Sequence, residues 1–258
     1  EIQLGDWSSD VCSSDLERNR RCALGFSGGV DSSYLLYTAL RCGADVRPYY
    51  VKSAFQPRFE YENARKTAEH LGVALNVIEL DVLLLPSVAV NPPDRCYHCK
   101  SAMFAALKER ARAEGYDTSL DGTNASDERS ERPGMRALEE LFVRSPLREC
   151  SLTKDAIRRL SREAGLPFWD RPSYPCLATR IPTGTQITEE LLRRLEGAED
   201  ALLSLGFSNF RVRVYKDAAR LQLPSEEIED AAKNKEAIRA RIRDRKSTRL
   251  NSSHPAGS

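Results

Sequence analysis

The run FSGGVDSS, Phe26–Ser33, sits where a short apolar stretch gives way to a helix-like pattern, and it restricts the fold more than any other part of the chain. A strand that ends in paired glycines and passes straight into a helix is a βα turn. The glycines let the backbone close around an anion, and the helix start offers unbonded N–H groups and the positive end of its dipole. Ser27 and Ser32 add hydroxyl donors beside Gly28 and Gly29, and Asp31 can hold a magnesium ion bridging phosphate oxygens. No Lys-Ser or Lys-Thr follows the glycines, so this is not a Walker A loop, and the spacing is not G-x-G-x-x-G. A loop that grips the outer two phosphates of ATP suits release of pyrophosphate, with the substrate taking the AMP.

The rest of the pattern agrees with such a turn. Strand-like runs at 21–26, 45–51, 74–80, 118–121 and 142–145 alternate with helical runs at 32–42, 60–71, 101–114 and 154–164. Gly43, Gly72, Gly115 and Gly165 stand at the helix ends, Thr153 is an expected N-cap, and 122–134 is polar and loop-like. This predicts an α/β fold, a parallel sheet covered by helices. From about Pro182 the character changes. An amphipathic helix over 189–205, strands at 209–214 and 220–223 and a polar helix over 225–243 predict a small C-terminal α+β domain. Asp121-Gly122-Thr123-Asn124 follows an expected parallel strand at its C-terminal end, where ligands of such sheets collect, so Gly122, Thr123 and Asn124 are expected to line the ATP or the substrate carboxylate.

The two ends read differently. Asp6–Leu16, DWSSDVCSSDL, and Asp244–His254, DRKSTRLNSSH, are translations of one DNA string and of its extended reverse complement. Residues 1–16 and 244–258 are therefore expected to be non-native, adapter-like segments. The chain is divided into a nucleotide domain with the cysteine site at 17–182 and a small, truncated substrate or oligomerisation domain at 183–243. The formal net charge is +1, which gives no electrostatic case for a nucleic-acid or anionic membrane surface. No run approaches the ~18 apolar residues of a membrane span. The scattered cysteines do not form a secreted disulfide framework, so a reduced, cytoplasmic protein is expected.

SGGVDSS resembles the PP-loop of the ATP pyrophosphatase superfamily, whose members adenylate a carbonyl or carboxyl group before a nucleophile attacks. The cysteines narrow this. Cys96-Tyr97-His98-Cys99 has the spacing that turns two sulfurs toward one metal, but a zinc site needs two further ligands and no second C-x-x-C exists. Cys22 and Cys42 fall where small packing thiols are expected, and Cys150 is open. Cys176 lies in PSYPCLATRIP, a proline-bracketed segment with Arg180 nearby, where a cation favours the thiolate. Three thiolates without a fourth suggest an iron–sulfur cluster with one iron free of protein ligands. On spacing alone a redox C-x-x-C is an equal reading.

The PP-loop, NPPDRCYHCK, DGTNASDERSERPGM, VRSPL, LTKDAIRRLSREAGLPFWDRPSYPCLATRIP and GFSNFRVRV occur in this order. Together they resemble the pyridinium-3,5-bisthiocarboxylic acid mononucleotide synthase (LarE) family, the sulfur insertases that build the nickel-pincer nucleotide of lactate racemase. The resemblance implies that ATP adenylates a carboxylate of a pyridinium dicarboxylate mononucleotide and that sulfur then displaces AMP. Ser27, Gly28, Gly29, Asp31 and Ser32 match the family's ATP loop, with Asp31 as the magnesium ligand, and Cys176 matches its sulfur-bearing cysteine.

One form of the family sacrifices the sulfur of that single cysteine in one turnover. The other holds a 4Fe–4S cluster on three cysteines, and Cys96, Cys99 and Cys176 place this chain in that form. Arg211 and Arg213, alternating on an expected strand, match the family's substrate-phosphate arginines. Glu199 matches a family site residue, and Gln222 stands where relatives often carry an acidic residue. A homo-oligomer, with hexamers common in the family, is also implied, and the sulfur donor is left open. The competing reading is a PP-loop tRNA thiolase, disfavoured by the near-neutral charge.

Overall fold

The computed structural model describes residues 21–127, 133–207, 209–216 and 218–240. The adapter-like segments 1–16 and 244–258 lie outside the described residues, as do residues 128–132 of the DGTNASDERSERPGM motif and Ser208 of GFSNF. The chain forms two compact units. One holds the described residues to Val88 together with Pro92–Ser173, and the other holds Ala89–Asn91 and the described residues from Tyr174 onward.

In the first unit β1 (Arg21–Gly25), β2 (Asp45–Lys52), β3 (Asn76–Glu79) and β4 (Thr118–Leu120) make a parallel sheet in the order β3-β2-β1-β4. The period-2 alternation of strands sends neighbouring side chains to opposite faces. Cys22 and Leu24 of β1 and Val46 and Tyr50 of β2 enter one core, which is completed by Leu35, Leu36, Ile157 and Leu160. Ala23, Tyr49 and Val51 enter the other, against Phe104, Leu107, Ala111 and Leu138. The covering helices are α1 (Val30–Arg41), α2 (Arg58–His70), α4 (Arg95–Ala113), α5 (Pro133–Glu140) and α7 (Lys154–Glu163), with one-turn helices α3 (Pro86–Ala89) and α6 (Pro146–Glu149). This is the expected α/β architecture. Thr153 caps α7 as expected, its hydroxyl accepting from the Ala156 N–H at 3.3 Å.

Three elements differ from expectation. The strand expected at 142–145 shrinks to a single parallel bridge between Leu120 and Arg144. Phe142 is left-handed at φ 53° and Pro146 starts α6, so too few extended residues remain to make a ladder. Helix α4 starts at Arg95 rather than Ser101 and so includes both cysteines of the C-x-x-C. Nothing in RCYHCK breaks a helix, which therefore runs back to Asp94, just after the proline pair. Helix α5 lies partly in what reads as loop, with Met135 and Leu138 buried.

The second unit contains a 3-10 turn over Leu177–Arg180, α8 (Glu189–Ser204), the antiparallel hairpin of β5 (Arg211–Tyr215) with β6 (Ala218–Gln222), and the short α9 (Ile228–Lys233). Leu192, Leu195, Ala198 and Leu202 form the buried stripe of α8, and Phe207, Phe210 and Val212 are buried in the same unit. The final helix expected over 225–243 is broken by a turn at Asn234. Cys22 is buried, as expected of a packing thiol, and burial pushes its pKa up to about 11. Cys42 is half-buried at the C-terminal cap of α1.

Candidate active site

The order β3-β2-β1-β4 places two strands on one side of β1 and one on the other. The direction of chain crossover therefore reverses between β1 and β4, and ligands of open parallel sheets bind beyond the strand ends at such a reversal. A cavity of about 540 Å³ opens there. Ser27, Asp31 and Ser32 line it from the turn after β1, Asp121, Gly122 and Thr123 from the end of β4, and Cys96 and Lys100 from α4. Thus the structure brings the phosphate-loop residues together with one thiol of the C-x-x-C. Gly28, Gly29, Asn124 and Cys99 are not among the described lining residues.

The loop is organised by its own hydroxyls. Ser27 Oγ lies 3.1 Å from Ser32 Oγ and accepts from the Gly29 N–H at 3.3 Å. Ser32 Oγ in turn donates to the Gly29 carbonyl at 3.3 Å. Gly28 is left-handed at φ +74°, and a Cβ there would lie 2.6 Å from the backbone Cα of Ala64 in α2. No other residue type fits that combination. Gly122 has no such angle but is equally confined, because its Cβ would come within 2.9 Å of the Ser32 backbone nitrogen. Glycine at 28 lets the loop after β1 touch α2, and glycine at 122 lets the loop after β4 touch the first turn of α1.

Asp31, in the first turn of α1, pairs through Oδ2 with Lys154 Nζ, while its buried Oδ1 has no hydrogen-bond partner. A buried carboxylate oxygen left unbonded is costly unless a ligand completes it. Asp31 therefore fits a magnesium ion, a hard cation that takes carboxylate oxygens. Asp121 is 6% exposed and is bound on several sides. It accepts from Ser145 Oγ at 2.6 Å, from the Thr123 N–H at 3.3 Å and from the Thr123 hydroxyl, with Lys100 Nζ at 3.9 Å. The Thr123 hydroxyl is thus already engaged. Asn124 belongs to the next turn, its Oδ1 accepting from the Ser126 N–H at 2.8 Å.

Cys96 and Cys99 lie in the first two turns of α4, three residues apart and hence neighbours on one helix face. Cys96 is exposed and lies 3.6 Å from Arg95 Nη2, while Cys99 is half-buried. Among the described residues no three His, Cys, Asp or Glu side chains gather as a ready metal cluster. As a donor set, thiols suit iron or zinc rather than magnesium.

In the second unit the half-buried Cys176 heads the 3-10 turn that carries Arg180. Arg180 is 1% exposed. Its Nε and Nη2 donate to Glu199 at 2.9 and 3.4 Å, and its Nη1 donates to the Pro175 carbonyl at 2.8 Å. Burial pushes the Arg180 guanidinium down to about 10; Arg211 and Arg213 add repulsion, while Cys176 acts in the opposite sense. Cys176 and the two strand arginines therefore share one electrostatic neighbourhood. Arg213 donates to the Thr179 carbonyl and to Gln222 Oε1, each at 2.6 Å. Because Gln222 is neutral, it holds that guanidinium without cancelling its charge. Glu199 is an internal anchor: it also accepts from the Val212 N–H at 3.0 Å.

Sequence reasoning missed Lys154, Lys100 and Arg171. For Lys154 a signal existed. A cation at the first position of a helix faces the positive dipole end, so it needs an anion from elsewhere, and Asp31 is that anion. Arg171 gave none.

A parallel sheet whose first strand ends in SGGVDSS, with Asp31 in the first turn of the following helix and a cavity at the sheet's reversal point, is the fold and site of the PP-loop ATP pyrophosphatases. A sequence profile of the asparagine synthase family matches residues 12–128. An uncharacterised protein of Synechocystis, slr1717, is 39% identical over 212 residues, which is 81% of this chain and 78% of that one. Pyridinium-3,5-bisthiocarboxylic acid mononucleotide synthase of Lactiplantibacillus plantarum is 35% identical over 213 residues, 82% of this chain and 77% of that one. An uncharacterised protein of Methanocaldococcus jannaschii, MJ0830, is 29% identical over 227 residues, 88% of this chain and 86% of that one. The chain belongs to the pyridinium-3,5-bisthiocarboxylic acid mononucleotide synthase family, and it is an enzyme of the PP-loop class. Among the described residues no helix is long and apolar enough to cross a membrane.

Proposed function

We propose that the protein is an ATP-dependent sulfurtransferase that converts a carboxylate of a pyridinium dicarboxylate mononucleotide into a thiocarboxylate. The observation that carries this reading is the shared cavity, in which the phosphate-loop side chains Ser27, Asp31 and Ser32 and the Cys96 thiol all face one space. A substrate carboxylate oxygen attacks the α-phosphorus of ATP and pyrophosphate leaves. The carboxyl carbon then carries AMP, a good leaving group, and sulfur displaces it.

The chain's own groups do the holding. Ser27, Ser32 and the start of α1 would bind the outer phosphates, and Asp31, whose buried Oδ1 lacks a hydrogen-bond partner, would hold magnesium. Lys154 supplies positive charge beside them. Gly122 and Thr123 form the facing wall, and Arg211 and Arg213 take the substrate monophosphate through charge-assisted bonds. Cys96, Cys99 and Cys176 would hold a 4Fe–4S cluster whose unligated iron supplies sulfide for repeated turnover. Reduced cysteines of this kind suit the cytoplasm.

Anaerobic purification followed by iron, sulfide and zinc analysis, with AMP and pyrophosphate measured in the presence of the pyridinium mononucleotide, tests this. Iron and sulfide in equal amounts with substrate-dependent pyrophosphate are expected. Zinc without iron would sink the cluster, and ATP turnover indifferent to the mononucleotide would sink the substrate. Cys96→Ala should lose iron and stop after at most one turnover. If that variant instead turns over repeatedly, the three-cysteine assignment is wrong. A single turnover that strips the elements of hydrogen sulfide from Cys176, seen by mass spectrometry in the unaltered protein, would favour the sacrificial form.

A further inference from the structure

One strongly bound arginine in the first unit has no part in the chemistry above. Arg171 lies in the FWDRPS segment after α7 and is not among the described residues lining the cavity. Its Nη1 donates to the Gly28 carbonyl and, at 3.2 Å, to the hydroxyl of Thr67. Thr67 is 2% exposed and sits in α2, three residues beyond Ala64, the residue against which Gly28 packs. Arg171 is itself held from behind. Arg158 of α7 donates through Nη2 to the Arg171 carbonyl at 2.8 Å and through Nη1 to the Trp169 carbonyl at 3.2 Å. Burial lowers the Arg171 pKa, and the negative charges of Glu60 and Asp170 oppose that shift.

The consequence follows from peptide geometry. A trans peptide is planar, so its C=O and the next N–H point in opposite directions. Drawing the Gly28 carbonyl toward Arg171 turns the Gly29 N–H the other way, where it meets Ser27 Oγ. Ser27 lines the cavity and Gly28 does not. A left-handed glycine flanked by a second glycine has little of its own to fix this plane.

We infer that Arg171 is a positioning residue for the phosphate-binding loop: it fixes the Gly28–Gly29 peptide so that the loop's donors are set for the outer phosphates of ATP before ATP arrives. The inference rests on the ATP-binding reading proposed above and extends it to a residue outside the cavity. It acts on the β- and γ-phosphate end alone, so loss of Arg171 weakens ATP without weakening AMP.

Calorimetric titration of the full chain with magnesium-ATP and, separately, with AMP tests it. In Arg171→Ala the ATP dissociation constant should rise about tenfold or more, the loss of a charge-assisted bond, with AMP affinity within about twofold of the unaltered protein. Arg171→Lys, which keeps one donor and the charge, should recover part of the ATP affinity. Thr67→Val should give a smaller, ATP-selective loss, and it keeps the test open if Arg171→Ala does not fold. Equal weakening of ATP and AMP in these variants, or ATP affinity unchanged in all of them, would overturn the positioning role. Absence of ATP binding by the unaltered protein would instead overturn the underlying nucleotide reading.

Discussion

Asp31 divides its two oxygens between a cation already in place and a position that lacks a partner. Lys154 occupies Oδ2, and Oδ1 is buried without a hydrogen bond. Replacing the carboxylate with an amide removes the negative charge that a magnesium ion needs, while nearly preserving the shape. In Asp31→Asn the affinity for magnesium-ATP is expected to fall by tenfold or more, whereas ATP measured in excess chelator should bind much as in the unaltered protein. The pair of titrations checks this, and equal affinities with and without the metal in the unaltered protein would count against a magnesium role. At this scale the sequence revealed the residues that carry their own local signal. Serines around paired glycines announce an anion loop, and so does an aspartate at a helix start. Arg171 and Lys100 carry no such signal, because their partners lie far along the chain: 143 positions separate Arg171 from Gly28. Asn124 sits in what reads as a ligand loop, and its Oδ1 accepts from the Ser126 N–H two residues away.

Among elements, α8, β5 and the turn that begins at Cys176 are joined by one buried ion pair. The side chains of Arg180 and Glu199 are 0% and 2% exposed. Glu199 receives Arg180 and the Val212 N–H, and Arg180 also holds the Pro175 carbonyl beside Cys176. Removing one member leaves the other charged, desolvated and unpaired, which typically costs about 3–5 kcal/mol. Glu199→Gln should therefore unfold the second unit at lower urea and speed thiol labelling of Cys176 under native conditions, with ATP affinity of the first unit little changed. Labelling at the unaltered rate would show that the pair does not hold the Cys176 turn. The helix was readable from its buried stripe, but the pair was not, since Glu199 reads like any acidic residue on a helix. Elements were legible where period and caps agreed, as in α7. They were misjudged where a chemical motif was assumed to exclude regular structure, as with Cys96 and Cys99 in α4.

For the molecule as a whole, the alternation of strands and helices was enough to give the parallel sheet, because each element must bury one face and the β1 turn fixes where the ligand lies. The opposite end of that sheet carries a device that no motif advertises. Glu114, which closes α4, accepts from Arg47 Nη1 at 2.6 Å, from the Tyr49 hydroxyl at 2.7 Å and from Arg110 Nε at 2.6 Å. It ties β2 to α4, with Arg21 and Arg47 both packed on the Tyr116 ring. The donors from Tyr49 and Arg47 hold the Glu114 carboxyl down at about 2. A carboxyl that ionises more easily in the folded chain than in the unfolded one, where it titrates near ~4.3, stabilises the fold when charged. Its contribution is complete above that unfolded value and disappears as pH falls toward 2. Glu114→Gln should accordingly melt lower than the unaltered protein at pH 7, by roughly 2–4 °C for each kcal/mol lost. The gap should narrow steadily between about pH 4 and pH 2 as the unaltered carboxylate takes up its proton. Melting curves followed by circular dichroism across that range measure it. A gap that stays constant down to pH 2 would mean that the charge on Glu114 contributes nothing and that its role is packing alone.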